Sequence, residues 1–174
     1  MKKQLIFLSL ILISFSQVLF SGGLGSMCRD GEEKIFSCTM KNKKTAVVCV
    51  GEYDDETYMQ YRYGKPNEIE LEFPSSRDGS LSQFSLSRYF RPDRGNGDGI
   101  RAANLVFTND GVTYDLGEVA EGNGINKYSI IVTSKDLKST VLNCVAGMMN
   151  IPLELEEIIP CDTNAGVNNA SCAN

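Results

Sequence analysis

Not one of the 174 residues is a histidine, and that bounds the chemistry more than any motif does. Ser-His and Cys-His nucleophile systems need an imidazole base, and the common catalytic zinc shells need imidazole ligands. Six cysteines remain: Cys28, Cys38, Cys49, Cys144, Cys161 and Cys172. Their number is even and no two are spaced CxxC, so they are read as three disulfides, leaving no thiol for metal or nucleophile. Carboxylates could hydrolyse a glycoside if two flanked one bond about 5 to 10 Å apart. Yet Glu68, Glu70 and Glu72 share one strand face, and Asp54-Asp55 sit in an acidic connection. Both sets are read as solvated. No nucleophile elbow, P-loop or dinucleotide fingerprint occurs. The reading is a chain without enzymatic activity, metal or cofactor.

Two stretches remain that could meet a partner. The first is RPDRGNGDG, Arg91 to Gly99. Asn96, Asp98 and Gly99 fill the later positions of a calcium loop, but Arg94 stands first and Leu105 twelfth, which removes two anionic ligands. With Arg88, Arg91, Arg94 and Arg101 close by, it is read as a cation-rich local surface on an acidic chain. Irregular loops on rigid sheets are where binding residues concentrate. Arg91, Arg94, Asn96 and Asp98 are therefore predicted contact residues. The second stretch is Asn109 to Tyr114, where Asp110-Gly111 is a preferred two-residue hairpin turn. That turn sets Phe107 opposite Tyr114 and Leu105 opposite Leu116.

The elements that would position these loops are strands. In QYRYGKPNEIELEFP, Ile69, Leu71 and Phe73 alternate with Glu68, Glu70 and Glu72, the period of a half-buried strand. A three-residue loop, Lys65-Pro66-Asn67, would pair Tyr63 with Ile69, Tyr61 with Leu71 and Met59 with Phe73. Arg62 would then face Glu70 on the wet side. An earlier hairpin, Lys34 to Gly51, predicts a Cys38–Cys49 disulfide across the pair, with Met40 opposite Val47. Leu81 to Phe90 alternates again, with Phe84, Leu86 and Phe90 on one side. Gly117 to Asn126 is read as a loop, and Lys127–Thr133 with Lys138–Cys144 as a last strand pair. Val145 to Pro160 reads as a loop and then a short helix from about Pro152 to Ile159, with proline at its start and glutamates in its first turns. Cys144–Cys161 would bracket that segment, which leaves Cys28–Cys172. The predicted fold is all-β and mainly antiparallel, a small barrel or sandwich of about eight or nine strands with a short C-terminal helix.

The chain opens MKKQLIFLSLILISFSQVLFSGG: two lysines, an apolar run and a small-residue zone, the order of a secretory signal peptide. Leu5 to Phe20 is broken by serines and short of the ~20 residues of a spanning helix. Residues 1–25 are assigned to the signal and 26–174 to one disulfide-stabilised β domain, periplasmic or secreted, with no stable membrane span after cleavage. The mature part keeps 15 basic and 22 acidic side chains, net −7. That balance argues against nucleic acid and anionic membranes and is compatible with a basic protein partner.

The run FSC(x10)C, then YMQYRYGKPNEIELEFP and FSLSRYFRP, resembles a family of exported bacterial β-proteins without an assigned activity. The resemblance covers Phe36 to Pro92, continues loosely to Cys161, and implies a fold. A second similarity is to the small periplasmic lysozyme inhibitors, disulfide-stapled β-barrels with a Ser-Gly-x-x-Tyr loop that enters the enzyme's cleft. Gly111 and Tyr114 match that loop, with Asp110 in the place of the serine. The resemblance implies a protein partner such as a lysozyme, and Asp110, Gly111 and Tyr114 as contact residues. The expected function is an exported protein-binding module. The alternative is a barrel for a small molecule or glycan, with Tyr58, Tyr61, Tyr63 and Tyr114 as stacking surface.

Overall fold

The computed structural model describes residues 26–122 and 124–163. The assigned signal segment and the tail bearing Cys172 lie outside the described residues. Ten strands form two antiparallel five-stranded sheets packed as a sandwich. The first sheet has the order β10-β1-β2-β3-β4 and the second β5-β6-β7-β8-β9. The strands are β1 (Glu33–Thr39), β2 (Thr45–Tyr53), β3 (Glu56–Lys65), β4 (Glu68–Phe73), β5 (Phe84–Arg91), β6 (Ile100–Asn109), β7 (Val112–Glu121), β8 (Asn126–Thr133), β9 (Ser139–Asn143) and β10 (Ala146–Met149). A 3-10 turn at Ser80–Gln83 leads from the first sheet into the second, and helix α1 (Leu153–Ile158) follows β10. The all-β antiparallel class and the short helix are as expected.

Strand number differs by β10, in a segment read as a loop. Four residues, Ala146–Met149, pair with β1. They are too few to show a period of two, and a glycine breaks the apolar run. The expected loop at Gly117 is also corrected. Gly117–Glu121 continue β7 between β6 and β8, so the turn begins only at Gly122. Pairing on both sides outweighs the weak strand preference of glycine.

The core lies between the sheets. Phe36, Val48, Met59, Tyr61 and Phe73 of the first meet Phe84, Leu86, Leu105, Phe107, Leu116 and Ile130 of the second. Burying a side chain of this size stabilises by about 1.5–3 kcal/mol. At its centre Phe107 stacks on Tyr114 at 4.8 Å and on Phe73 at 4.7 Å. The cross-strand pairs Phe107–Tyr114 and Leu105–Leu116 are the expected ones.

The β3–β4 hairpin keeps its faces but not its register. Tyr61 pairs with Phe73, Tyr63 with Leu71 and Arg62 with Glu72. All are two residues from the expected partners, an even shift that turns nothing over. Its cause is a bulge at Gly64, whose φ is 141° and whose added Cβ would meet the Glu68 carbonyl oxygen at 2.2 Å. The bulge also rotates Ile69 out of the core, leaving it 44% exposed.

All three disulfide expectations are corrected. In the β1–β2 hairpin Cys38 pairs with Ala46, because the turn closes tightly between Met40 and Lys44 with Lys43 at φ 65°. That is three residues from the expected partner, and an odd shift points the two cysteines to opposite faces. Cys38 enters the core and bonds Cys144, at the crossing from β9 to β10, with Cα atoms 5.1 Å apart. Cys49 points outward and bonds Cys28, with Cα atoms 5.5 Å apart. Cys144–Cys161 and Cys28–Cys172 are thereby excluded; Cys161 is also disulfide-bonded.

Candidate functional site

The predicted contact residues do not come together. Arg91–Gly99 precedes β6 and Asp110-Gly111 follows it. Ten extended residues separate them by about 30 Å. The Arg91–Gly99 loop is organised around Asp93, whose carboxylate accepts the backbone N–H groups of Gly95, Asn96 and Gly97 at 2.7 to 3.1 Å. Those bonds, that of Gly95 foremost, hold the Asp93 carboxyl below its ordinary range. Arg91 donates to the Asp98 carbonyl, Asp98 Oδ1 accepts from the Arg94 backbone, and Asn96 Oδ1 accepts from the Asp98 backbone. Arg94 and Asn96 are exposed, and Arg91 and Asp98 half-buried. The loop thus spends most of its polar groups on itself.

At the other end Asp110 and Gly111, at φ 50° and 76°, make the expected turn and are exposed. The Lys135 side chain lies over Gly111, where an added Cβ would meet it at 2.7 Å. Tyr114 belongs to the core: its ring lies against Phe107 and, at 5.9 Å, Tyr61. Burial and then the nearby Asp110 charge push its phenol up. Of the tyrosines considered as a stacking surface, Tyr58 and Tyr61 are buried and Tyr63 and Tyr114 half-buried.

A different surface gathers polar side chains. The outward face of the second sheet forms a groove of about 900 Å³. Its floor is three cross-strand rows. Thr108, Thr113 and Thr133 make the first, Ser85, Val106, Asp115 and Ile131 the second, and Ser87 and Asn104 part of the third. One wall is the segment after α1. Leu86 donates to the Pro160 carbonyl at 2.8 Å and accepts from the Asp162 backbone at 2.9 Å, so the segment lies parallel along the open edge of β5. This places Asp162 on the groove's rim.

Asn104 and Asp115 are tied together, the Asn104 amide donating to Asp115 Oδ1 at 2.6 Å. Gly117, opposite Asn104, clears the space, since a Cβ there would meet the amide nitrogen at 3.1 Å. Burial raises the Asp115 carboxyl above its ordinary value, the Asn104 bond opposes that, and the Asp162 charge adds to it. Ser87 is 2% exposed, and its hydroxyl has no hydrogen-bond partner although it lines the groove. Among the described residues, no lysine or arginine lines the groove. The arrangement offers acceptors and negative charge, and so suits a ligand that brings donors or positive charge. Sequence reasoning missed these residues, though the polar face of the β6–β7 hairpin, Asn104, Thr108, Thr113 and Asp115, is legible as alternation around the Asp110-Gly111 turn.

A second polar cluster covers the outward face of the first sheet. Arg62 is fully buried there, where the sequence placed it on the wet side. The segment ahead of β1, held down by Cys28–Cys49, lies over it and supplies Glu32 and the Met27 carbonyl. Glu32 with Cys28 and Cys49 has the spacing of a metal cluster. The two sulfurs are bonded to each other and the carboxylate is held by Arg62, so the ligand atoms are already used.

Fold and site define a disulfide-linked two-sheet antiparallel β-sandwich with a polar groove on one outer face. Comparison with family models, curated proteins and solved structures finds no match to this chain.

Proposed function

We propose that this protein is an exported binding module of the bacterial cell envelope, without enzymatic activity, and that it engages a partner protein through the groove on the second sheet. The observation that carries this is the buried, unpartnered Ser87 hydroxyl in a groove already furnished with Asp115 and Asn104. Buried polar groups left without a partner destabilise a fold, and one that faces a concavity is open to a hydrogen bond from a ligand. Disulfides place the chain in an oxidising compartment, the periplasm or the extracellular space on this reading.

A lysozyme is the partner class that Asp110, Gly111 and Tyr114 suggest. With the Tyr114 ring in the core, the exposed Asp110-Gly111 turn would make that contact alone, without the distant Arg91–Gly99 loop. A second reading, a glycan or small polar molecule in the same groove, is favoured by the hydroxyls of Ser85, Ser87, Thr108, Thr113 and Thr133.

The test is a photo-crosslinking residue placed at Thr113, on the groove floor, or at Lys65, at the end of β3, in the oxidised protein within its native envelope. A discrete protein adduct from position 113 alone is expected. Equal labelling from both positions would sink the groove as the contact surface. Titration into several lysozyme types, and of soluble cell-wall glycans into the protein, separates the two ligand classes.

A further inference from the structure

We infer that β9 is a self-docking edge: two copies of this chain pair antiparallel along it, Val141 against Val141, and join their second sheets into one. The inference is independent of what fills the groove.

β9 ends the second sheet, and among the described residues no strand pairs with its outer side. The backbone there is ready for one. The Lys138 carbonyl accepts from Ser134 and the Cys144 N–H donates to Tyr128, so the even-numbered residues of β9 turn toward β8. In an antiparallel ladder the alternate residues turn the other way, which leaves the N–H and C=O groups of Ser139, Val141 and Asn143 aimed outward. Open edges are ordinarily blunted by charge, proline, short length or a covering segment. The other edges here have such guards. β4 carries Glu68, Glu70 and Glu72, β10 is four residues long, and β5 is lined by residues 160–162. Residues 139–145 include no charge and no proline. The nearest preceding charges, Asp136 and Lys138, are paired with each other at 3.2 Å.

The side chains say which occupant fits. Leu137, Val141 and Val145 are 83%, 54% and 59% exposed, and they are spaced evenly about Val141. Leu137 also holds φ 61°, a left-handed turn position that bulky residues rarely take. A twofold axis at Val141 sets Val141 against its copy and Ser139 against Asn143, and brings Leu137 to the end where Val145 of the second copy stands. The exposed apolar side chains are met by the same three, and no like charges face one another. A pattern so centred is self-complementary, as an isologous contact requires. Opposite residues of an antiparallel pair share a face, so the two grooves would open to the same side. A pairing of this length is a small interface, so the dimer is reversible.

The experiment is sedimentation velocity of the oxidised protein from micromolar to millimolar concentration, with amide exchange read at both ends of the range. A monomer–dimer equilibrium is expected, with the amides of Ser139, Val141 and Asn143 protected only where the dimer forms. Val141→Lys and Val141→Glu should each weaken the dimer by about tenfold or more, since like charges then meet across the axis. Mixed together, the two variants should dimerise again. Val141 is exposed in the monomer, so the urea midpoint at low concentration should stay at the native value, and loss of the dimer is then not unfolding. Ile69→Lys, on the β4 edge, should leave the dimer unchanged. A monomer at every concentration would overturn the inference, as would a dimer indifferent to Val141→Lys or a mixture that stays monomeric. Protection of the three amides in the monomer would overturn it too, showing the edge covered by another part of the same chain.

Discussion

Arg62 donates both of its terminal nitrogens to the two carboxylate oxygens of Glu32, at 2.5 and 2.8 Å, and neither side chain reaches solvent. The remaining donors are used as well. Nε goes to Glu72 at 2.7 Å, and the second hydrogens go to the Met27 carbonyl and Gln60 Oε1. Glu32 also accepts from the Tyr58 hydroxyl and the Arg29 backbone, both at 2.7 Å. This is the fork-to-carboxylate geometry that Lys cannot reproduce. Breaking a buried pair leaves an uncompensated charge, typically at 3–5 kcal/mol. Arg62→Ala is therefore expected to lose about 3–5 kcal/mol in urea unfolding, and Arg62→Lys to recover only part. The double variant Arg62→Met/Glu32→Gln should lose less than the sum of its singles, because each single strands the other partner. Additive losses would show that the two do not act as a pair.

Acid should find the same pair. Burial pulls the Glu32 carboxyl upward, but Arg62, Tyr58 and the Arg29 backbone outweigh it and hold it at about 2, against an ordinary 4.5. A folded pKa below the unfolded one contributes stability fully present above the unfolded value and lost as pH falls through the folded one. That stability is about 3 kcal/mol at neutral pH. Unfolding free energy should fall between about pH 5 and pH 2 in the native chain and markedly less in Glu32→Gln. Parallel curves for the two proteins would contradict the assignment.

Much of the fold is legible in the sequence because a period of two survives errors of register. The β3–β4 hairpin slips by two residues around Gly64 and still buries Tyr61 and Phe73. The β6–β7 hairpin is right to the residue because Asp110-Gly111 dictates its turn. Where the turn was not dictated, an odd shift inverted the outcome, and Cys38 and Cys49 parted to opposite faces. Arg62 was misplaced for another reason. Strand alternation identifies an outward face but not what covers it, and the cover here is a segment without regular structure ahead of β1. The groove escaped similarly. Asp115 sits at a legible polar position, but Asp162 reaches it only because the chain after α1 returns to the edge of β5.

Asp115 has the opposite sign from Glu32. Its folded pKa is raised, by burial first and by the Asp162 charge, so the neutral carboxyl is favoured more in the folded protein than in the unfolded chain. Stability from that preference is present below the unfolded value, about 3.9, and is lost as pH rises through the folded one. Asp115→Asn, whose carbonyl can still accept from Asn104, should unfold at higher temperature than the native chain at pH 7, with the gap closing toward pH 3. A variant less stable at neutral pH would show that the carboxylate is there to hold the fold.

The disulfides should differ in their effects. Cys38–Cys144 closes 106 residues and Cys28–Cys49 closes 21. Chain-entropy estimates give about 5 and 3 kcal/mol, respectively. Replacing Cys38 and Cys144 by alanine should cost more in urea unfolding. Replacing Cys28 and Cys49 should cost less globally but release the segment over Arg62, read as faster amide exchange in β3 around Gln60 and Arg62. Mapping of peptides from the non-reduced protein should recover both pairs. A peptide joining Cys38 to Cys49 would refute the register of β1 on β2.

Gly147 lets the two sheets close at one edge. It lies on β10 opposite Cys38, and a Cβ added there would stand 2.6 Å from both Cβ and Cγ of Tyr128 on β8. Real Cβ atoms do not approach so closely, and the Tyr128 Cβ cannot swing away, being fixed to its own backbone. Gly147→Ala must push β10 off β8, next to the Cys38–Cys144 crossing. Overpacking of this kind costs about 1–3 kcal/mol. Tyr128→Ala should relieve the ring contacts but leave the Cβ contact, so the double variant should recover only part of the loss. Tyr128→Gly should relieve both, showing a larger favourable coupling to Gly147→Ala in a urea-unfolding cycle. Full rescue by Tyr128→Ala would place the clash in the ring alone and set β10 farther from β8 than the structure has it.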